Sequence, residues 1–391
     1  MLCSSGSSSI WKTPLTAKIV ISGSGLWKPP HVITNEELVE AYNGYAAMFN
    51  QHHAEKIEKG TIAAKPFSSA EFIEKASGIK ARYAYVKDGI LDIDRMRPKI
   101  PERKEGELSH QAEIALNAAR IALKEANKPA SEIDAVIVSC AYTERYYPAI
   151  AIEVQNELGI TGFGFDMLVA CSAATFALQR AYEMVSSGTA KCVLIVNPEL
   201  TSPQVNYHDR DSHFIFGDVS TATVVESADT CNSEHSYEIL GTKAITLYSN
   251  NIRSNFGYIT NSTDADPYGA DKYFHQEGRS VFKEVCPMAA KHIIDHLEEL
   301  QLTPSDLKRW WLHQANLNMN LLISKRILGR QATAEEAPIV LDEYANTASA
   351  GSLIAFNLHH KDLQEGDIGV ICSFGAGYSI GSLVIKKCAV H

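Results

Sequence analysis

Residues 165–196 read FDMLVACSAATFALQRAYEMVSSGTAKCVLIV. Phe165 to Ala170 has the character of a strand. From residue 172 to 187, Ala173, Ala174, Ala177, Ala181, Met184 and Val185 recur at helical spacing. Gly188 stops that helix, and Lys191 to Val196 is an apolar strand again. A strand–helix–strand crossover of this length joins parallel strands and lays a helix on their sheet. The stretch therefore predicts an α/β fold with helices packed on a parallel sheet.

Working outward, the same syntax appears twice. Residues 109–127 carry helical apolar spacing through Ile114, Leu116, Ala118, Ala119, Ile121, Ala122 and Leu123. A turn at 129–134 and an apolar strand at 135–139 follow. Downstream, a helix at 281–300, a Thr-Pro-Ser-Asp turn at 303–306 and a strand at 309–312 repeat the order. The recurrence, half a chain apart, points to an internal duplication. The expected organisation is a flexible N-terminal tail over 1–16, a first half over 17–228 and a second half over 229–391. A first strand is expected at 17–22, ended by Gly23-Ser-Gly25, and a helix start at Thr34 or Asn35. Residues 41–70 read as a helical excursion on the surface. Its His52-His53 pair fits a solvated face better than a metal site. Near the C-terminus, strands at 368–373 and 382–386 are expected around a Gly-rich turn at 375–381.

Bulk properties narrow the function. The chain has 391 residues, 45% hydrophobic and 21% charged, with a net charge of −10. That balance argues against nonspecific nucleic-acid binding and against a polybasic grip on a membrane. No stretch approaches the roughly 18 apolar residues of a membrane span. The Ser-rich start, residues 1–9, lacks the basic and apolar regions of a signal peptide. The eight cysteines are scattered without a CxxC pair. They suggest neither a disulfide framework nor a zinc site, so a reducing cytoplasm is expected and no cofactor or metal.

Three residues stand out chemically. Cys171 lies where a strand meets a helix, so the helix dipole and free N–H groups would favour its thiolate. The competing reading is a small core cysteine. His313 follows the strand end Trp310-Trp-Leu312 and precedes a helix, a position open to either a site or a structural histidine. Asn346 lies among small residues in Tyr344-Ala-Asn-Thr-Ala-Ser-Ala-Gly351, where an N-cap or turn role competes. The glycines of 375–381 lie between strands, not between strand and helix, which disfavours a phosphate cradle. They would let a backbone N–H approach a reacting carbonyl.

Together these segments resemble the β-ketoacyl-acyl carrier protein synthase III family of thiolase-like condensing enzymes. The resemblance runs from about residue 17 onward. It is carried by Asp166–Thr175, His313-Gln-Ala-Asn-Leu317, Tyr344–Ser349, Phe216-Gly-Asp218 and Phe374–Gly381. Within the family it looks most like a longer branch that makes 3-oxodecanoyl-acyl carrier protein, on the insertion at 41–70 and the run His208–Asp218. The resemblance implies a layered α/β/α/β/α thiolase-like fold of two duplicated halves. It implies a catalytic triad of Cys171, His313 and Asn346, with the N–H groups of Cys171 and Gly377 as the oxyanion hole. It further implies acyl-CoA and malonyl-acyl carrier protein as substrates, and a homodimer. Coenzyme A would enter between Phe72 and Arg210. Phe72 replaces the tryptophan common before the segment Gly78–Arg82. Asn318 stands where the family often has a basic residue, leaving Lys325 and Arg326 for carrier-protein docking.

The implied reaction is a decarboxylating Claisen condensation through an acyl-cysteine. It needs no strong carboxylate base, which suits a His/Asn pair of N–H donors. A non-decarboxylating relative would need a glutamate near the cysteine, and Glu144 is the candidate in the sequence. A non-catalytic acyl-binding relative and a cysteine hydrolase are further alternatives. The presence of both Cys171 and His313 speaks against the first of these. The lack of an acidic partner after His313 speaks against the second.

Overall fold

The computed structural model describes residues 18–389, so the tail expected over 1–16 lies outside the described residues. A nine-stranded mixed sheet organises the chain. Its order is Leu307–Leu312, Ile368–Gly375, Gly377–Lys387, Tyr237–Ser249, Ile19–Trp27, Val219–Ser227, Cys192–Glu199, Ala135–Cys140 and Phe163–Leu168. The strands around Ala135–Cys140 are parallel, as the crossover predicts, and Leu307–Leu312 runs parallel to Ile368–Gly375. The two halves meet at a narrow seam, where Val20 and Ile21 pair with Glu238 and Tyr237. Residues 228 and 229, the expected boundary, lie in the 3-10 turn Ala228–Thr230, between strands Val219–Ser227 and Tyr237–Ser249.

Side-chain alternation shows how the layers form. Ile137 and Ile195 join a central core, while Val136, Val138, Leu194 and Val196 join an outer one. In the second half Ile371, Leu383 and Ile385 face the centre, and Val370, Cys372 and Val384 face outward. A strand with both faces apolar must be covered on both sides. Helices Ala173–Ser186 and Gly351–Leu358 fill the centre and touch strands of both halves. Helix His110–Glu125 covers the first half from outside, and Gly278–Glu299 covers the second. The result is five alternating layers of helix and sheet.

Several expectations need adjustment. The first strand does not stop at Gly23-Ser-Gly25 but runs through it to Trp27. A Cβ on Gly23 or Gly25 would lie 2.3 or 2.2 Å from carbonyl oxygens of helix His110–Glu125. Those glycines are there for close packing, not for a turn. Likewise the Gly-rich segment is mostly strand: Ser379, Ile380 and Gly381 pair with Gly375, Phe374 and Ser373. Ile121, counted with the apolar face of its helix, is 42% exposed. Thr34 does cap the helix Asn35–His52, in a reciprocal capping box with Glu37. The excursion is only partly superficial, since Tyr42 and Ala46 are buried against Ile73, Ile79 and Phe214. Among the described residues no group of three potential metal ligands gathers, at His52-His53 or elsewhere.

Candidate active site

Cys171 sits in a single 3-10 turn, Ala170–Ser172, at the head of the buried helix Ala173–Ser186. Ser172 Oγ donates to the carbonyl of Ser379 at 2.9 Å, and Ser139 Oγ donates to that of Ala173 at 2.7 Å. The helix head is thus tied to strands of both halves. Ala170 is held at φ 44°, in the left-handed region that non-glycine residues avoid. Such a conformation persists only when the surroundings fix it, and it turns the next residue off the strand direction. Gly375 lies directly against the nucleophile: a Cβ there would be 2.5 Å from the Cys171 Cβ and 3.1 Å from its Sγ.

The sulfur accepts hydrogen bonds from the N–H groups of Ala376 and of Cys171 itself. The resemblance placed the second N–H of the oxyanion hole at Gly377, whereas the second N–H that reaches the sulfur is that of Ala376. The chain leaves the strand Ile368–Gly375 at Ala376, so the Ala376 N–H turns toward sulfur. Gly377 is exposed and already belongs to the returning strand, opposite Ser249. The expectation of a ready thiolate also changes. Burial, and then the charge of Glu199, push the Cys171 thiol up to about 12, against the pull of the two N–H groups. The resting residue is a neutral thiol.

His313 is held by its backbone, whose N–H donates to the Cys372 carbonyl at 2.8 Å. Its ring stands edge-on to Phe374, with centroids 5.2 Å apart. Burial pushes it down to about 4, so it is neutral at pH 7. A neutral imidazole can take the thiol proton or present an N–H donor. Its neighbour Gln314 is a buried clamp. The amide donates to the Leu312 carbonyl at 2.8 Å and accepts from the Val340 N–H at 3.0 Å. Asn316 caps the next helix, Leu317–Leu328.

Asn346 is fixed from three directions. Its N–H donates to the Ile215 carbonyl at 3.0 Å, and its own carbonyl accepts from Gly217 N–H at 3.1 Å. Its side-chain Oδ1 accepts from Ala348 N–H at 3.0 Å. That last bond settles which way the amide faces: oxygen inward, with the Nδ2 donor directed away. The Phe216-Gly-Asp218 motif therefore has a clear job. Gly217 lets the chain run beside Tyr344, and buried Asp218 accepts from the N–H groups of Thr201, Ser202 and Tyr85. The turns Ala170–Ser172 and Ala348–Ala350 are in contact, which brings the segments of Cys171 and Asn346 together.

A cleft of about 570 Å³ leads outward from Asn346, past Phe72, Phe214, Ala315 and Phe282. It is lined largely by apolar residues, which suits a pantetheine-like arm. At its mouth the Arg210 guanidinium lies 3.7 Å from the centre of the Phe72 ring. Arg210 Nε also donates to the Phe67 carbonyl at 2.8 Å. The two residues expected to bracket adenine are thus adjacent but stacked on each other. An intercalated base needs roughly 7 Å between them, twice an ordinary contact distance, so Arg210 must swing aside. Lys325 and Arg326 are exposed on helix Leu317–Leu328, and neither joins an ion pair among the described residues. Glu144 accepts from the N–H groups of His110 and Gln111, at 3.1 and 2.8 Å. It serves as a cap for the helix His110–Glu125.

Comparison with known proteins identifies the family. Residues 165–246 match the family description 3-oxoacyl-[acyl-carrier-protein] synthase III, and residues 297–387 match its C-terminal counterpart. The chain is 52% identical over 349 residues to a beta-ketodecanoyl-[acyl-carrier-protein] synthase of Pseudomonas aeruginosa, covering 89% of this chain and all of that one. It is 30% identical to a beta-ketoacyl-[acyl-carrier-protein] synthase III of Caldanaerobacter subterraneus, covering 80% of this chain and 98% of that one. The crystal structure of a 3-oxoacyl-(acyl carrier protein) synthase III from Pseudomonas aeruginosa superposes with a TM-score of 0.74 at 20% identity, over 96% of this chain and 99% of that one. With its thiolase-like layers and the two matched halves, the chain belongs to the 3-oxoacyl-[acyl-carrier-protein] synthase III family of condensing acyltransferases.

Proposed function

We propose that this enzyme condenses a medium-chain acyl-CoA with malonyl-acyl carrier protein, through an acyl group on Cys171, in fatty acid biosynthesis. The observation that carries the reading is the Cys171 turn, pressed on Gly375 with two N–H groups on its sulfur and the Asn346 segment beside it. The sulfur attacks the acyl thioester carbon as the thiol proton passes to His313. The N–H groups of Cys171 and Ala376 hold the resulting oxyanion. The carbon–sulfur bond to coenzyme A breaks, and the leaving thiolate takes the proton from His313. Malonyl thioester then enters, and its carbonyl oxygen accepts hydrogen bonds from His313 and Asn346. The carboxylate bond breaks, CO₂ leaves and its electron pair becomes the enolate. The enolate carbon attacks the acyl-cysteine, and the Cys171 thiolate departs. Glu144 is engaged in helix capping and is not free to act as the base of a non-decarboxylating route.

Partners follow from the same surface. The strand Phe163–Leu168 lies at the sheet edge with Phe163 and Leu168 43% and 50% exposed, and Tyr146 and Tyr147 project nearby from the loop before helix Ile150–Leu158. An uncovered apolar edge strand favours a homodimer paired across it. Lys325 and Arg326 offer the cationic patch for the acidic carrier protein. The seven described cysteines are unpaired, which suits a reducing cytoplasm. The test is intact-mass measurement of Cys171 after incubation with octanoyl-CoA, followed by addition of malonyl-acyl carrier protein. An octanoyl adduct that disappears as 3-oxodecanoyl-acyl carrier protein and CO₂ form is expected. An adduct released as free octanoate would mean hydrolysis instead.

A further inference from the structure

The chemistry described so far leaves one buried charge beside the nucleophile unused. Glu199 ends the strand Cys192–Glu199 and is fully buried. Its Oε1 accepts from the Ser349 N–H at 3.1 Å and from the Ser349 hydroxyl, and the Ala141 N–H lies 3.2 Å from both carboxylate oxygens. It joins no ion pair among the described residues. The titratable groups that feel its charge or act on it are Asp218, Cys140, Tyr142 and Cys171, none of them cationic. A carboxylate buried without a cation is costly, so simple packing does not account for this one.

Its hydrogen bonds lead directly to Asn346. Ala348 N–H holds the Asn346 amide, and the next N–H, that of Ser349, is held by Glu199. Ala345 and Ala348, on either side of this short segment, stand at φ 58° and 47°. Two non-glycine residues in the left-handed region need outside ties to stay there. We propose that Glu199 is a positioning residue for the condensation step, its carboxylate anchoring the Ser349 turn so that the Asn346 amide is presented to the acyl-cysteine. The role rests on the reading of Asn346 as a donor to the malonyl thioester. It also carries a trade-off. Burial pushes the Glu199 carboxyl up to about 7, the donors that reach it favour its ionised form, and that charge opposes the Cys171 thiolate. The residue aids the second half-reaction at the expense of the first.

That opposition supplies a signature that loss of structure would not produce. Glu199→Gln in the intact enzyme is expected to slow single-turnover condensation about tenfold, with octanoyl-CoA acylation changed by less than about threefold. Alkylation of Cys171 by iodoacetamide should reach a given rate at a lower pH in this variant. Ser349→Ala, a milder change, should slow condensation about threefold and leave the alkylation profile in place. In an Asn346→Ala background, Glu199→Gln should cost less than about a further twofold, because both act through one amide. Parallel losses in acylation and condensation, or full additivity with Asn346→Ala, would overturn the proposal. If Glu199→Gln fails to fold, Ser349→Ala decides alone: an unaffected condensation rate, or equal losses in both steps, overturns it. Should Asn346→Ala itself slow acylation as much as condensation, the reading of Asn346 falls, and this role with it. A condensation-selective Asn346→Ala beside a non-selective Glu199→Gln condemns this role alone.

Discussion

At the residue scale, the site is a set of side chains whose orientation the backbone dictates. Asn346 can donate outward because Ala348 N–H has claimed its oxygen. His313 is neutral because burial pushes it down to about 4. Removing either donor by Asn346→Ala or His313→Ala should slow condensation by about 10²–10³, in line with the loss of other oxyanion donors. Single-turnover acylation should fall much less in Asn346→Ala, where equal losses in both steps would contradict the division of labour, whereas His313→Ala removes the proton acceptor of acylation as well and should be slow in both steps. Cys171→Ala should form no acyl adduct while keeping its fold; an adduct on that variant would disqualify the nucleophile. The thiol makes a separate prediction. With its pKa pushed up to about 12, the thiolate fraction rises about tenfold per pH unit below that value. Iodoacetamide alkylation should therefore climb through pH 9–10 without levelling, and a plateau below pH 8 would show that a substrate-free thiolate exists. Cys171, His313 and Asn346 were legible because each lies at a strand end or helix head in a quoted motif. Gln314 and Asp218 stood in quoted motifs without a role, and Glu199 was not singled out at all, because a buried clamp is recognised only by what it touches across the fold.

At the element scale, the nucleophile helix is held by surfaces that lack side chains. The sequence revealed the elements through period, since apolar spacing of 3.6 and runs of β-branched residues need no tertiary context. It misjudged glycines, reading Gly23-Ser-Gly25 as a strand end and Gly375–Gly381 as a turn. Both are strand segments that helices press upon, and only the packed structure distinguishes a glycine for turning from a glycine for proximity. The same loss of context hid that the N–H reaching the Cys171 sulfur from this segment is that of Ala376 and not of Gly377. Gly375→Ala tests the point. Its new methyl would collide with the Cys171 side chain, and overpacking of this kind costs about 1–3 kcal/mol. The expected outcome is a lower melting temperature and at least about a tenfold slower acylation, because a displacement near 1 Å at a reacting atom is that costly. An enzyme with unchanged acylation would show that strand and helix separate easily there, and that the close approach has no catalytic role.

At the scale of the whole molecule, the two halves contribute different things to one reaction. In the proposed reaction the first supplies Cys171 at the head of a central helix and the second supplies His313, Asn346 and Ala376, so the proposed site lies where the two sets of layers meet. The duplication was visible in sequence as a repeated helix–turn–strand order, whereas the path of substrate through the assembled layers was not. The path we propose runs from the Phe72–Arg210 stack along the apolar cleft to Asn346. Arg210→Ala should raise the KM for acyl-CoA more than it lowers kcat, since the contact is remote from the reacting atoms; an unchanged KM would remove Arg210 from the site. Primer length follows from what lies beyond the sulfur. The 52% identity to a beta-ketodecanoyl synthase leads to an expected primer near eight carbons. Each buried methylene contributes roughly 0.8 kcal/mol, so a pocket that accepts six more than acetyl has ample free energy for strong preference, and one that does not excludes the tail by overlap. Measured as kcat/KM from two to twelve carbons with malonyl-acyl carrier protein held constant, the profile should peak near octanoyl-CoA. A steady decline from acetyl-CoA onward would defeat the medium-chain assignment, and it would do so without touching the roles of Cys171, His313 and Asn346, because chain length is decided by the far walls of the pocket and the chemistry by its floor.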